Sequence, residues 1–186
     1  MDTVVKFAKV KEGAQVPSKR DEDAGFDIYA CFDEDFIKFN PHETKMIPTG
    51  IASACDKDYC FVLFERGSTG SKGIARRCGI LDSGYRNEWF VCLTNTNDYP
   101  LYISKLTKEE LIEKDSNCLH GEVFQKVFQS INDSLWEDVI VYPYTKAIAQ
   151  ALIVPVPKTS VEEVSYEDLK NIKSERGMGA LGSSNK

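Results

Sequence analysis

Histidine is nearly missing from this chain, with two residues in 186. Its six cysteines, at 31, 55, 60, 78, 92 and 118, nowhere form Cys-x-x-Cys. Both scarcities argue against a zinc site. No apolar run approaches the ~20 residues of a membrane span, and Met1-Asp2-Thr3-Val4-Val5-Lys6 lacks the apolar core of a secretory signal. Positive charge is also short: 23 Lys and Arg face 29 Asp and Glu, for a net charge of −6. Direct nucleic-acid binding needs a basic face and is not expected. A polyanionic ligand would need a few local cations and a metal. Cys60 and Cys92 sit in apolar, strand-like runs and read as buried, reduced thiols, which points to the cytoplasm.

What is present is a globular composition, 42% hydrophobic and 28% charged, in a length that suits one domain. Val4–Val10, Phe36–Phe39, Thr44–Ile47, Gly50–Ala54 and Cys60–Phe64 read as strands, the last apolar enough to be buried on both faces. Short strands at roughly 8–12-residue spacing, without a helical period, predict a mainly β sandwich or barrel.

Four stretches carry chemistry. Asp23-Ala24-Gly25-Phe26-Asp27 puts small residues, which allow close backbone approach, beside an acid at a strand start. Glu65-Arg66-Gly67-Ser68-Thr69-Gly70-Ser71-Lys72-Gly73 offers backbone N–H groups, hydroxyls and Arg66 as an anion cradle, without the Walker A order. Gly79 to Asn95 reads as a β-hairpin holding Asp82 and Tyr85 at its bend, with Trp89–Leu93 as the returning strand. The tail from Lys173 is Gly/Ser-rich, has no apolar pattern, and is expected to order only with ligand.

In this order the pieces resemble the five motifs of the trimeric dUTPases. Ala24-Gly25-Phe26-Asp27 is similar to motif one, Arg66 through Gly73 to motif two, and Gly79-Ile80-Leu81-Asp82-Ser83-Gly84-Tyr85-Arg86-Asn87-Glu88 to motif three. Ile148-Ala149-Gln150 is similar to motif four and Arg176-Gly177-Met178-Gly179-Ala180-Leu181-Gly182-Ser183-Ser184 to motif five. The resemblance implies a dUTPase-like jelly-roll or β-barrel at 1–172 and a C-terminal arm at 173–186. It also implies a homotrimer with sites between subunits, and hydrolysis of dUTP to dUMP and pyrophosphate with Mg²⁺. On it, Asp82 activates the water, Tyr85 packs on deoxyribose, and Asp27 holds the metal through water. Arg66, Gly67, Ser68, Gln150 and Arg176 face the phosphates, while Leu181, Gly182 and Ser183 cover the nucleotide.

Departures are specific. Gly67 stands where Ser is usual, Leu181 replaces a stacking aromatic, Asn87 replaces Gly, and Lys146-Ala147 replaces Asp-Arg. An insertion at about 104–138 separates motifs three and four. Thr107 and Glu110 form a capping box opening a helix to about Lys114. Val123, Phe124, Val127, Phe128, Ile131 and Leu135 mark an amphipathic helix over about Glu122–Trp136. Its stripe must pack on the body of the protomer or on a protein partner. Alternative readings are a nucleotide-binding regulator using this insertion, a dCTP deaminase relative, and a purely structural β protein.

Overall fold

The structure, a computed structural model, describes residues 4–77, 79–119, 139–175 and 177. Runs of β-branched and aromatic residues broken by Gly, Pro and Asn become short strands. Among the described residues these are β1 Lys6–Lys9, β2 Phe26–Ile28, β3 Phe36–Phe39, β4 Thr44–Pro48, β5 Ile51–Ala54, β6 Tyr59–Phe64, β7 Ile74–Arg76, β8 Ile80–Asp82, β9 Phe90–Asn95, β10 Leu101–Ser104, β11 Ile140–Pro143 and β12 Ala149–Pro155. The helices are α1 Gly67–Gly70, α2 Lys108–Leu119 and α3 Tyr166–Asn171. The expected mainly β architecture is what forms. The ladders run β2-β12-β6-β8, β4-β9-β7, β11-β10-β3 and β1-β5.

These ladders enclose one core, with Trp89, Tyr142, Phe39, Phe61, Ile28, Ile47, Leu63, Val91 and Leu101 at 1% exposure or less. Phe7, Phe61 and Trp89 meet edge-on or tilted, with centroids 5.0–5.7 Å apart, an arrangement that stabilises beyond area alone. The chain separates into two compact units, Met1–Val156 and Pro157–Lys186. In the second, Ser165 caps α3 by accepting from the Asp168 N–H at 3.0 Å.

Three expectations change. The predicted hairpin does not close on itself: β8 pairs with β6, whereas β9 pairs with β4 and β7. The segment crosses between two ladders because both arms find better partners elsewhere. Cys60–Phe64 is not buried on both faces. Phe61 and Leu63 point into the core, Cys60 and Val62 are half-buried, and Phe64 is 41% exposed, the alternation of a strand with one covered face. For the same reason Cys60 and Cys92 are only half-buried, and among the described residues Cys31 is the deeply buried thiol.

The start of the insertion packs on the β body. Thr107 donates its N–H to Glu110 Oε2 at 2.8 Å and Glu110 donates its own to Thr107 Oγ1 at 3.3 Å, the reciprocal box expected. Leu111 is fully buried, and Lys114 pairs with Asp35. The helix runs to Leu119, further than its opening motif alone indicates. The amphipathic stretch Glu122–Trp136 lies outside the described residues.

Candidate active site

Strand pairing assembles motifs one, two and four. Asp27 on β2 lies opposite Gln150 on β12, which lies opposite Phe64 on β6. Residues opposite one another share a face. Arg66, two residues beyond Phe64, therefore reaches back across the ladder. Its Nε lies 3.0 Å from Asp27 Oδ1 and its Nη2 3.3 Å from Oδ2. Gln150 Nε2 donates to the Glu65 carbonyl at 2.8 Å.

Gly25 makes this approach possible. A Cβ there would stand 2.9 Å from Gln150 Oε1 and 3.1 Å from Gln150 Cβ, so any side chain displaces the amide. Asp27, Arg66 and Gln150 line a polar groove of about 620 Å³, whose other wall is the Ser18–Gly25 loop. On that wall Arg20 forks onto Asp23, with contacts of 2.8 and 2.9 Å. The hydrogen bond from Arg20 holds the Asp23 carboxyl below the usual range, and Asp23 raises the Arg20 pKa in return.

The cradle is a short helical turn. Thr69, at 1% exposure, accepts the Arg66 N–H at Oγ1 and returns its hydroxyl to the Arg66 carbonyl at 2.9 Å. Gly67 and Ser68 are left exposed beside Arg66. A Cβ on Gly67 would meet nothing within 4 Å, so Ser fits there without strain.

Asp82 and Tyr85 stand elsewhere. Asp82 ends β8 opposite Cys60, and Tyr85 N–H closes the turn onto the Asp82 carbonyl at 3.0 Å. Tyr85 is 36% exposed, its hydroxyl held by the Glu88 carbonyl at 3.0 Å. Glu88 Oε1 in turn accepts the Gly50 N–H at 2.7 Å. Along β6, Cys60 and Phe64 are four residues apart, so Asp82 and Asp27 are separated by roughly 13 Å along the sheet and roughly 14 Å across it. Within one chain the acid of motif three does not face the groove.

Between the two ends, on the same outer face, lie Phe64, Leu152, Val62 and Ile80. Ile80 is 72% exposed. Of the remaining sequence-predicted residues, Arg176, Leu181, Gly182 and Ser183 lie outside the described residues. Sequence reasoning missed the Ser18–Arg20 wall and also Tyr142, whose hydroxyl lies 3.3 Å from Ser68 Oγ. No spacing signal marks either.

A family model described as dUTPase matches residues 11–108, more than half of the chain. The chain belongs to the dUTPase family. Among curated relatives, the Pol polyprotein of caprine arthritis encephalitis virus is 32% identical over 114 residues, 61% of this chain and 10% of the polyprotein. A deoxyuridine 5'-triphosphate nucleotidohydrolase of Wolbachia pipientis is 32% identical over 107 residues, 54% of this chain and 69% of that protein. The chain thus spans about a tenth of the length of the viral polyproteins it matches. The dUTPase fold extends well beyond the matched segment. A Staphylococcus bacteriophage 80alpha dUTPase variant with dUpNHpp superposes with TM-score 0.66 at 18% identity, over 97% of this chain and 98% of that one. The equine infectious anaemia virus dUTPase gives 0.56 at 19%, over 88% and 98%.

Proposed function

We propose that this chain hydrolyses dUTP to dUMP and pyrophosphate by attack of water on the α-phosphorus, keeping uracil out of DNA. The observation that carries this reading is the groove in which Arg66, forked onto Asp27, stands beside Gln150. Arg66 and Gln150 supply N–H donors to phosphate oxygens, with the Gly67–Ser68 turn beside them. Asp82 orients the water and accepts its proton. Tyr85 lies against deoxyribose, where a 2′-hydroxyl would collide with its ring. Arg176, Leu181, Gly182 and Ser183 close over the nucleotide from the arm.

Mg²⁺ suits the residues present. Both Asp27 oxygens face Arg66, and no three His, Cys, Asp or Glu among the described residues cluster as a metal cage. That fits an ion carried by phosphates and waters, with Asp27 holding one of the waters through its free lone pairs. When bound, the ion neutralises the phosphate oxygens.

The separation of Asp82 from the groove supports a homotrimer in which one chain supplies motif three and another the groove. The half-exposed stripe between them supports burial of that face by the neighbouring chain. The free thiols of Cys31, Cys55, Cys60 and Cys92 suit the cytoplasm. No described helix is long and apolar enough to cross a membrane.

The test is pyrophosphate and ammonia release from dUTP, dCTP, dTTP and UTP with Mg²⁺. Pyrophosphate from dUTP alone is expected. Ammonia from dCTP points to the deaminase reading, and silence on all four removes the proposal.

A further inference from the structure

Tyr142 lies beneath the cradle, in a position that the chemistry above does not use. It sits on β11 with 0% exposure. A buried phenol needs partners for its proton and its oxygen. Its hydroxyl donates to the Ala147 carbonyl at 2.8 Å. Ser68 Oγ lies 3.3 Å from the same phenol oxygen. Either hydroxyl can be the donor in that contact: when the phenol proton turns to Ser68 Oγ, the serine's own proton is left for a phosphate oxygen. The Ala147 carbonyl also faces Arg66 Nη1 at 3.4 Å. One buried oxygen therefore joins motif two to the residue preceding motif four.

We propose that Tyr142 is a positioning residue for a bound triphosphate: acting through Ser68, it fixes the cradle hydroxyl before phosphate arrives, without touching the nucleotide. This rests on reading the groove as a phosphate site, and not on dUTP being hydrolysed there. Ser68 needs such a reference. It is exposed, and a Cβ on either neighbouring helix glycine, Gly67 or Gly70, would meet nothing within 4 Å. Nothing on those flanks crowds the serine, and a free hydroxyl side chain samples several staggered rotamers. The Tyr142 ring is packed in the core, so its oxygen is a fixed point that selects one rotamer. Fixing a ligand-binding group beforehand raises affinity by lowering the ordering cost of binding. β11 is also the strand on which the chain returns from the insertion. The segment that interrupts motifs three and four thus ends by delivering a residue to the cradle.

The experiment uses the full chain, with Tyr142→Phe, Ser68→Ala and the double variant. Tyr142→Phe keeps the ring and removes only the oxygen. Three ligands separate the effects: inorganic tripolyphosphate, phosphate-free deoxyuridine, and dUTP under turnover. Tyr142→Phe should weaken tripolyphosphate binding, and raise KM for dUTP, by about five- to tenfold, the scale of one lost hydrogen bond. Deoxyuridine affinity and kcat should hardly move, while Tm falls by a few degrees because the buried Ala147 carbonyl loses its phenol donor. In the Ser68→Ala background the same substitution should change tripolyphosphate affinity by less than about twofold, since the group it acts through is gone. An equal effect in both backgrounds, an unchanged tripolyphosphate Kd, a loss shared with deoxyuridine, or a wild type that ignores tripolyphosphate overturns the inference. Tyr142-dependent tripolyphosphate binding without dUTP turnover sinks the hydrolase reading alone. Normal dUTP turnover with a Tyr142-independent cradle sinks this inference alone.

Discussion

Arg66 engages Asp27 through two separate nitrogens, Nε at 3.0 Å and Nη2 at 3.3 Å, across thirty-nine residues of sequence. The fork fixes the guanidinium and the carboxylate against each other on the wall of the groove, and in the proposed function Asp27 holds a metal-bound water there. Both side chains are about one-third exposed, so the pair contributes little to folding, on the order of 1 kcal/mol or less. Asp27→Asn should therefore leave Tm within a few degrees while weakening Mg²⁺-dependent activity about 10- to 100-fold, the usual scale for a residue supporting a metal from outside its ligand shell. Magnesium titration of dUTP turnover, beside a melting curve, reads both numbers.

Gly25 and Gly67 look equivalent in sequence and differ in space. A Cβ on Gly25 meets Gln150, and one on Gly67 meets open solvent. Gly25→Ala should push Gln150 off the Glu65 carbonyl and raise KM for dUTP several-fold, with a stability loss of about 1–3 kcal/mol from overpacking. Gly67→Ser should change stability by less than about 0.5 kcal/mol and leave KM no worse. Denaturant unfolding and steady-state kinetics on the two variants decide the contrast.

Leu111 tests how the insertion is held. It is fully buried although it belongs to α2. Leu111→Ala should cost about 2–5 kcal/mol, as core truncations do. The groove residues are not its neighbours in any pairing above, so KM should stay within about twofold. A cost under about 0.5 kcal/mol in urea unfolding would mean that the insertion floats free of the body.

Tyr144 gives a pH signature. Burial raises its pKa above the usual phenol range, the Cys31 charge adding to the effect, and Cys55 is raised likewise by burial. For both groups the folded state holds its proton longer than the unfolded chain. Their contribution is thus complete below the unfolded-state pKa and is lost as pH rises through the folded-state pKa. Stability should decline on the alkaline side, and Tyr144→Phe should make that decline shallower. Melting temperature measured across the alkaline range checks the slope.

The motifs were legible because their chemistry is written in residue type: an Arg among small hydroxylated residues, an acid after Gly, an acid before a turn. The all-β character was legible from strand spacing. Pairing was not. Alternation along Gly79–Asn95 fits a hairpin as well as two strands in different ladders, and only the competing partners β6, β4 and β7 decide between them. Tyr142 was invisible for a related reason. It reads as one more aromatic in a strand, and its role comes from a carbonyl five residues on and a serine seventy-four residues back.

Asp82 and Arg66 belong to one proposed reaction and to opposite ends of one sheet. With roughly 13 Å along the strands and roughly 14 Å across them, Asp82 and Asp27 stand about 19 Å apart, beyond what side-chain rotation can close. If each site takes its acid from one chain and its cradle from the next, two dead variants should rescue each other. Asp82→Asn keeps shape and removes the proton acceptor, so alone it should lower kcat by about 100-fold or more. Arg66→Gln alone should lose phosphate affinity. Refolded together in equal amounts into a cyclic trimer, they should regain about a quarter of the wild-type sites, because one interface in four pairs an intact Asp82 with an intact Arg66. Pyrophosphate release at the sum of the two separate mutants, with no recovery on co-refolding, would show that each chain works with its own Asp82.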